Sequence, residues 1–136
     1  MFYQFFIPLK KIPSVTAQQK RFAKQGNRVV AYDSEKLADT RNLFESHLAQ
    51  HRPPQKMRGA LRLCTRWIYP IKDNMPDGEY KITRPDTDNM IKAFKDAMGK
   101  VGFFHDDAQV ASEVTEKLFG KTSGIWVRVE ELWFDD

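Results

Sequence analysis

Hydrophobic and polar residues follow a two-residue period in several segments of the chain, which is typical of strands. Residues 59–69, GALRLCTRWIY, are the clearest case, and Pro70 ends the run. Residues 2–7, FYQFFI, predict a buried first strand, and residues 28–32 a short one. Residues 108–119 also predict a strand, with a helix as the open alternative, and residues 125–134 predict the last strand after the turn GKTSG. In 59–69, one face carries Leu61, Leu63, Thr65, Trp67 and Tyr69, and the other carries Arg62, Cys64 and Arg66.

Two other segments repeat at the helical period. The first begins at Asp33-Ser34-Glu35, continues to about residue 50 and is closed by Pro53-Pro54. The residues that recur at helical spacing in this segment are Leu37, Arg41, Phe44 and Leu48. The second is an amphipathic stripe that Gly102 ends, formed by Met90, Ala93, Phe94, Ala97, Met98 and Val101.

Strands that alternate with two helices predict an α/β (α+β) fold. We expect a mixed β-sheet with two main helices packed on it and a hairpin of the last two strands closing the chain. The length of 136 residues suits one domain, so residues 1–136 are predicted to form a single domain.

The charge is distributed unevenly along the chain. Residues 1–72 carry 14 Lys and Arg against 4 Asp and Glu, and residues 73–136 carry 8 against 14. The basic first half, which includes a turn-rich segment at 8–27, predicts a surface for phosphates. The single cysteine, Cys64, fits a reducing compartment, and no apolar run approaches the ~20 residues of a membrane span. A cytoplasmic protein is the resulting expectation.

The acidic half contains the stretch RPDTDNMIKAFKDAMG, residues 84–99. Arg84 precedes a proline and should be extended; if the chain stays extended through Asp88, then Asp86 and Asp88 point to the same side. Two converging carboxylates are costly unless a cation lies between them, and Mg²⁺ prefers such oxygen ligands. Asp88 also lies at the expected helix N-cap, a structural role that leaves Asp86 unexplained.

Four further residues near this stretch have both a chemical and a structural interpretation. Lys92 follows Asp88 by one helical turn, so it either binds a phosphate oxygen or forms an ion pair with Asp88 or Asp96, and spacing alone favours the ion pair. His105 is a possible proton carrier or ligand, or a structural turn residue. Asp106 and Asp107 would point to opposite faces of a strand, so one of them joins the first pair, and spacing does not choose which.

Other motifs fail on detail. Counted from Asp86, the sixth and twelfth positions of a calcium loop would be Ile91 and Ala97 instead of Gly and Glu. No glycine-rich phosphate loop is present, and one cysteine does not support a zinc site of the Cys/His type.

Residues 84–110, RPDTDNMIKAFKDAMGKVGFFHDDAQV, resemble the RusA family of Holliday junction resolvases (crossover junction endodeoxyribonucleases), many of them encoded by phages and prophages. The family pattern is D-x-D-N, a lysine three residues after the Asn, Asp-Ala, a Gly-aromatic pair and D-D-x-Q. Here it is matched by Asp86, Asp88, Asn89, Lys92, Asp96-Ala97, Gly102-Phe103 and Asp106-Asp107-Ala108-Gln109.

The resemblance implies a RusA-like fold and a homodimeric endonuclease that depends on Mg²⁺ or Mn²⁺ and cuts four-way DNA junctions. It implies that Asp86, Asp88 and Asp107 bind the metal and that Lys92 completes the catalytic set. It thus prefers Asp107 to Asp106 and a catalytic Lys92 to an ion pair. One departure puts junction selectivity in question, because Ile12-Pro13-Ser14-Val15-Thr16 replaces the Pro-Pro-Ser-x-Asn of well-known members.

The hypothesis is therefore hydrolysis of phosphodiesters in branched DNA during recombination or repair. The alternatives are a nuclease for flaps or forks, a junction-binding protein without catalysis, and an acidic interaction module with no DNA role. Basic residues predicted to contact the DNA backbone, with a merely solvated face as the alternative, are Lys10, Lys11, Lys20, Arg21, Lys24, Arg62 and Arg66.

Overall fold

A computed structural model describes residues 1–14, 20–25, 28–33 and 35–133, and between residues 20 and 33 it describes the backbone alone. Within these described residues, six strands and two helices follow one another, and a 3₁₀ turn, Asp107–Gln109, precedes the fifth strand. The elements are β1 (Phe2–Pro8), β2 (Lys20–Gln25), β3 (Arg28–Asp33), α1 (Glu35–Ala49), β4 (Leu61–Pro70), α2 (Thr87–Val101), β5 (Val110–Gly120) and β6 (Gly124–Glu131).

The main sheet has four strands in the order β1-β6-β4-β5. The pair β4–β5 is parallel, whereas β6 is antiparallel to both of its neighbours, so the sheet is mixed as predicted. The strands β2 and β3 form a separate antiparallel pair. The mixed sheet with two helices confirms the predicted α+β fold class.

The predicted closing hairpin is wrong. β4 lies between β5 and β6, so the connection after Gly120 crosses the end of β4 instead of turning back on β5. Two inter-strand steps are about 9.6 Å, which a connection of a few residues spans. A turn signal such as GKTSG marks where the chain reverses but not whether another strand fits into the gap.

The two helices cover one face of the sheet, and the hydrophobic core lies between the helices and this face. The predicted inward face of β4 is buried at Leu61, Leu63, Thr65 and Trp67. Trp67 meets Phe44 of α1 and Phe94 of α2 edge-on, with ring centroids 5.2–5.8 Å apart across the three pairs. The buried indole N–H of Trp67 donates to the Thr65 hydroxyl at 2.9 Å, which satisfies two buried polar groups at once.

Most predicted elements agree with the structure within a few residues. The strand prediction for 108–119 is confirmed by β5, and the strand at 125–134 ends earlier, at Glu131. The prediction missed β2, which lies in the segment interpreted as turn-rich, while the turn signal Gly26-Asn27 lies outside the described residues. Within the described part of the chain, no helix has the length and apolar character needed to cross a membrane.

Candidate active site

The first acidic pair lies at the beginning of α2. Asp86 is extended (φ −73°, ψ 142°) and occupies the N-cap position, so the prediction that Asp88 is the N-cap is wrong. Asp88 instead lies in the first turn of the helix, and the extended backbone therefore ends at Asp86. The Asp86 carboxylate makes no capping hydrogen bond, and both side chains are exposed. Two carboxylates are thus presented to solvent two residues apart.

Lys92 lies one turn further along α2 and is exposed. The ion pair that spacing favours is not formed among the described residues: Asp96 approaches Arg41 instead, with 3.8 Å between Oδ2 and the guanidinium. The Lys92 ammonium is thus placed beside the acidic pair and is available to bind another group.

The two residues of the second acidic pair, Asp106 and Asp107, differ in their contacts. Asp106 caps the 3₁₀ turn, since its Oδ1 accepts from the Ala108 N–H at 2.9 Å. Gln109 completes the cap, because its Oε1 accepts from the N–H of Asp106 at 3.0 Å and of His105 at 2.9 Å. Asp107 is exposed, and no hydrogen bond or ion pair holds its carboxylate within the described ranges. Asp106 thus has a structural role that spacing did not reveal, and the choice of Asp107 as a metal ligand stays a prediction.

Gln109 also fixes this turn to the rest of the protein. Its Nε2 donates to the carbonyl oxygens of Met57 and Gly59, at 3.2 and 3.1 Å. The side chain of His105 is exposed, while its backbone N–H takes part in the cap. Sequence reasoning missed the structural role of Asp106 and Gln109, although an acceptor followed three residues later by Gln is the spacing of a capping box.

We expect Asp106→Ala to lower the free energy of unfolding by about 1 kcal/mol, since an N-cap side chain is lost. Asp107→Ala should change it by less than about 0.5 kcal/mol, because the exposed carboxylate makes no contact within the described chain. Urea unfolding of the two variants checks this contrast. Equal destabilisation by both would contradict the division of roles.

The two acidic pairs lie far apart in one chain. Lys117 of β5 donates from Nζ to the carbonyl oxygen of Pro85 at 2.7 Å, so Asp86 lies beside Lys117. Asp107, in contrast, precedes Val110, at the opposite end of β5. The strand from Val110 to Lys117 spans roughly 23 Å at 3.3 Å per residue. Midway, Lys95 of α2 pairs with Glu113 at 2.9 Å, so α2 runs along β5 from one acidic pair toward the other.

A single chain therefore does not gather the three predicted metal ligands. Among the described residues, no group of three or more His, Cys, Asp or Glu side chains is positioned to hold a metal ion. Asp86 and Asp88 present the hard oxygen donors that Mg²⁺ prefers, but Asp107 of the same chain does not reach them.

A cluster of lysines lies beside the loop that leads to Asp86. The Lys81 ammonium lies 5.1 Å from the centroid of the Tyr69 ring and 5.5 Å from that of Phe119. Burial lowers the pKa of Lys81, and the positive charges of Lys117 and Lys72 lower it further. The sequence did not indicate this basic cluster (Lys72, Lys81 and Lys117), because its members are distant along the chain.

The predicted DNA-contacting residues fall in different places. Arg62 and Arg66 lie on the sheet face opposite the helices and are engaged there. Arg62 donates to Ser112 at 3.1 Å and reaches Glu130 at 3.4 Å. Arg66 pairs with Glu116 at 3.2 Å and lies 5.2 Å from the Trp126 ring. Lys10 and Lys11 are exposed after β1, whereas the side chains of Lys20, Arg21 and Lys24 lie outside the described part. A role in DNA contact stays a prediction for all seven.

Comparison with known proteins defines the class of protein. The family model of the endodeoxyribonuclease RusA matches residues 11–130. The chain therefore belongs to the RusA family of endodeoxyribonucleases, which confirms the resemblance found in the sequence. It is similar to the crossover junction endodeoxyribonuclease rusA of Lactococcus phage r1t, with 27% identity over 134 residues that cover 97% of this chain and the whole of the relative.

Proposed function

We propose that this protein resolves four-way (Holliday) DNA junctions by paired, metal-dependent phosphodiester hydrolysis during DNA recombination or repair. The family and the phage relative support a junction-cutting nuclease. The observation that carries the site assignment is the exposed acidic pair at the start of α2, with neither carboxylate used for capping and with Lys92 one turn away.

Asp86, Asp88 and Asp107 are the residues that would hold Mg²⁺ or Mn²⁺. Their carboxylates suit a hard cation, and none is used in an ion pair within the described chain. When bound, the ion would supply Lewis-acid activation for phosphodiester hydrolysis. Lys92 contributes a positive charge beside this position, where it stabilises the negative charge that develops on the phosphate.

A homodimer would resolve the separation of the acidic pairs. A two-fold axis near the middle of α2 and β5 would exchange their ends, so that Asp107 of one subunit lies beside Asp86 and Asp88 of the other. Each dimer would then contain two composite sites related by symmetry. Two such sites suit a four-way junction, in which two strands are cut at matched positions.

Branched DNA is the proposed substrate. Lys72 and Lys81 of the basic cluster are the proposed contacts for its backbone near the cut, whereas the Lys117 ammonium is engaged by the carbonyl oxygens of Thr83 and Pro85. Lysine ammonium groups bind phosphates without reading the base sequence, so they contribute affinity that decreases with salt. Their position beside the Asp86 loop places positive charge where a carboxylate site would otherwise repel DNA.

The test is cleavage of a synthetic four-way junction next to a linear duplex, a flap and a fork, with Mg²⁺, with Mn²⁺ and with EDTA. We expect paired nicks near the branch point of the junction, none in EDTA and little cutting of the duplex. Faster cutting of flaps or forks would favour the alternative branched substrates. Junction binding without cutting in either metal would favour a non-catalytic binding protein.

A further inference from the structure

We propose that Lys117 is a positioning residue that fixes the Asp86 and Asp88 carboxylates for the reaction. The inference rests on the proposed function, since it concerns the same acidic pair. The Lys117 ammonium donates to two backbone carbonyl oxygens, those of Thr83 and Pro85, each at 2.7 Å. Pro85 is the residue directly before Asp86, so the contact acts on the peptide that leads into the acidic pair.

The backbone of Lys117 belongs to the edge strand β5, which pairs along its length with the inner strand β4. Lys117 lies opposite Trp67 of the central strand β4, and Trp67 is buried in the core. A half-buried lysine on such a strand loses less freedom when it binds than an exposed one at a loop tip would. The ammonium thus connects the acidic loop to a well-packed region.

The loop before Asp86 depends on this side chain. Up to Lys81 the chain is held against β5 by backbone hydrogen bonds, with the Lys81 N–H donating to Lys117 O at 2.9 Å and the Phe119 N–H to Glu79 O at 2.8 Å. For residues 82–85, no backbone–backbone hydrogen bond is formed with other described residues. In this segment, side-chain hydrogen bonds hold the chain instead. Lys117 donates to the carbonyl oxygens of Thr83 and Pro85, and Lys81 donates to the Thr83 hydroxyl.

Charge-assisted hydrogen bonds to two carbonyl oxygens, of residues two positions apart, explain why a lysine suits this position. An ammonium has three donors and no acceptor, so it can bind both oxygens at once. Loss of these bonds would let the loop shift, and a displacement of about 1 Å at a reacting group can cost about a hundredfold in rate. The effect on binding should be small, because both contacts of the ammonium are within the protein.

The experiment compares Lys117→Met with Lys117→Arg and with the matched control Lys95→Met. Lys95 is also a partly buried lysine that connects α2 to β5, but its partner is the side chain of Glu113. Hydrogen–deuterium exchange of peptides covering residues 82–90, without metal or DNA, reports on the loop independently of activity. Junction affinity in EDTA and single-turnover cleavage in Mg²⁺ complete the set.

We expect faster exchange over residues 82–90 in Lys117→Met, a cleavage rate lower by about 10- to 100-fold, and unchanged junction affinity. Lys117→Arg should recover much of the rate, because a guanidinium also donates to two oxygens. Lys95→Met should leave exchange over residues 82–90 at the wild-type level, because its contact with Glu113 does not hold that loop. Exchange over residues 61–70 tests whether the sheet remains folded.

Two results would overturn the proposal. Wild-type exchange in Lys117→Met would show that the loop does not need the ammonium. A loss of junction affinity without a change in exchange would assign Lys117 to DNA contact instead. If the wild type cuts no junction, the proposed function fails, and the exchange measurement still tests the positioning of the loop.

Discussion

Asp88→Asn is expected to lower the rate of junction cleavage by at least about a hundredfold, which is the typical loss when one preorganised charged or polar group is removed from a reaction centre. The substitution removes a charge but almost no volume, and Asp88 is exposed in the first turn of α2. Folding should be little affected, because an acidic residue in this turn contributes about 0.3–1 kcal/mol through the helix dipole. Junction binding should persist, since basic residues supply most of the affinity.

The matched control is Asp39→Asn, the same chemical change at an exposed aspartate of α1. Single-turnover cleavage and gel-shift binding of both variants, measured beside the wild type, separate chemistry from affinity. Cleavage by Asp88→Asn at the wild-type rate would remove Asp88 from the site. An equal loss of rate in Asp39→Asn would indicate a general electrostatic effect.

Sequence patterns predict most of the helices and strands, because the burial of one face alone determines the spacing of apolar residues in each element. The alternation in 59–69 identified the inward face of β4, and the stripe from Met90 to Val101 identified the buried face of α2. The strand β2 was missed since its sequence, KRFAKQ, is mostly polar and lacks a clear apolar period. The position of β6 was wrong because strand order depends on contacts between distant segments, which no local pattern contains.

The same limit applies to the candidate site: its local motif can be found in the sequence, whereas its contacts between distant segments cannot. The motif around Asp86 and Asp88 is local, so the sequence contains it. The separate roles of Asp106 and Asp107 depend on Gln109 reaching the carbonyl oxygens of residues 57 and 59, and the contact of Lys117 with Pro85 joins residues 32 positions apart. Such long-range hydrogen bonds become visible only in the folded chain.

The distance between the acidic pairs has a consequence that mixed dimers can test. Neither Asp88→Asn nor Asp107→Asn should cut junctions alone. In a heterodimer of the two variants, composite sites would place both substitutions in one site and leave the other intact. We therefore expect the heterodimer to recover about half of the active sites of the wild type. Heterodimers purified with two different affinity tags allow the measurement.

The form of the recovered activity is as informative as its size. With one intact site, the heterodimer should nick one strand of the junction and leave the paired cut incomplete, so nicked junctions would accumulate instead of resolved duplexes. A heterodimer of Asp86→Asn and Asp88→Asn is the control: each composite site would then contain one substitution, and no activity should return. If the first heterodimer is as inactive as this control, each site is built within one chain. Asp86 and Asp88, at the start of α2, must then approach the Asp107 turn far more closely than the separation of roughly 23 Å along β5 allows.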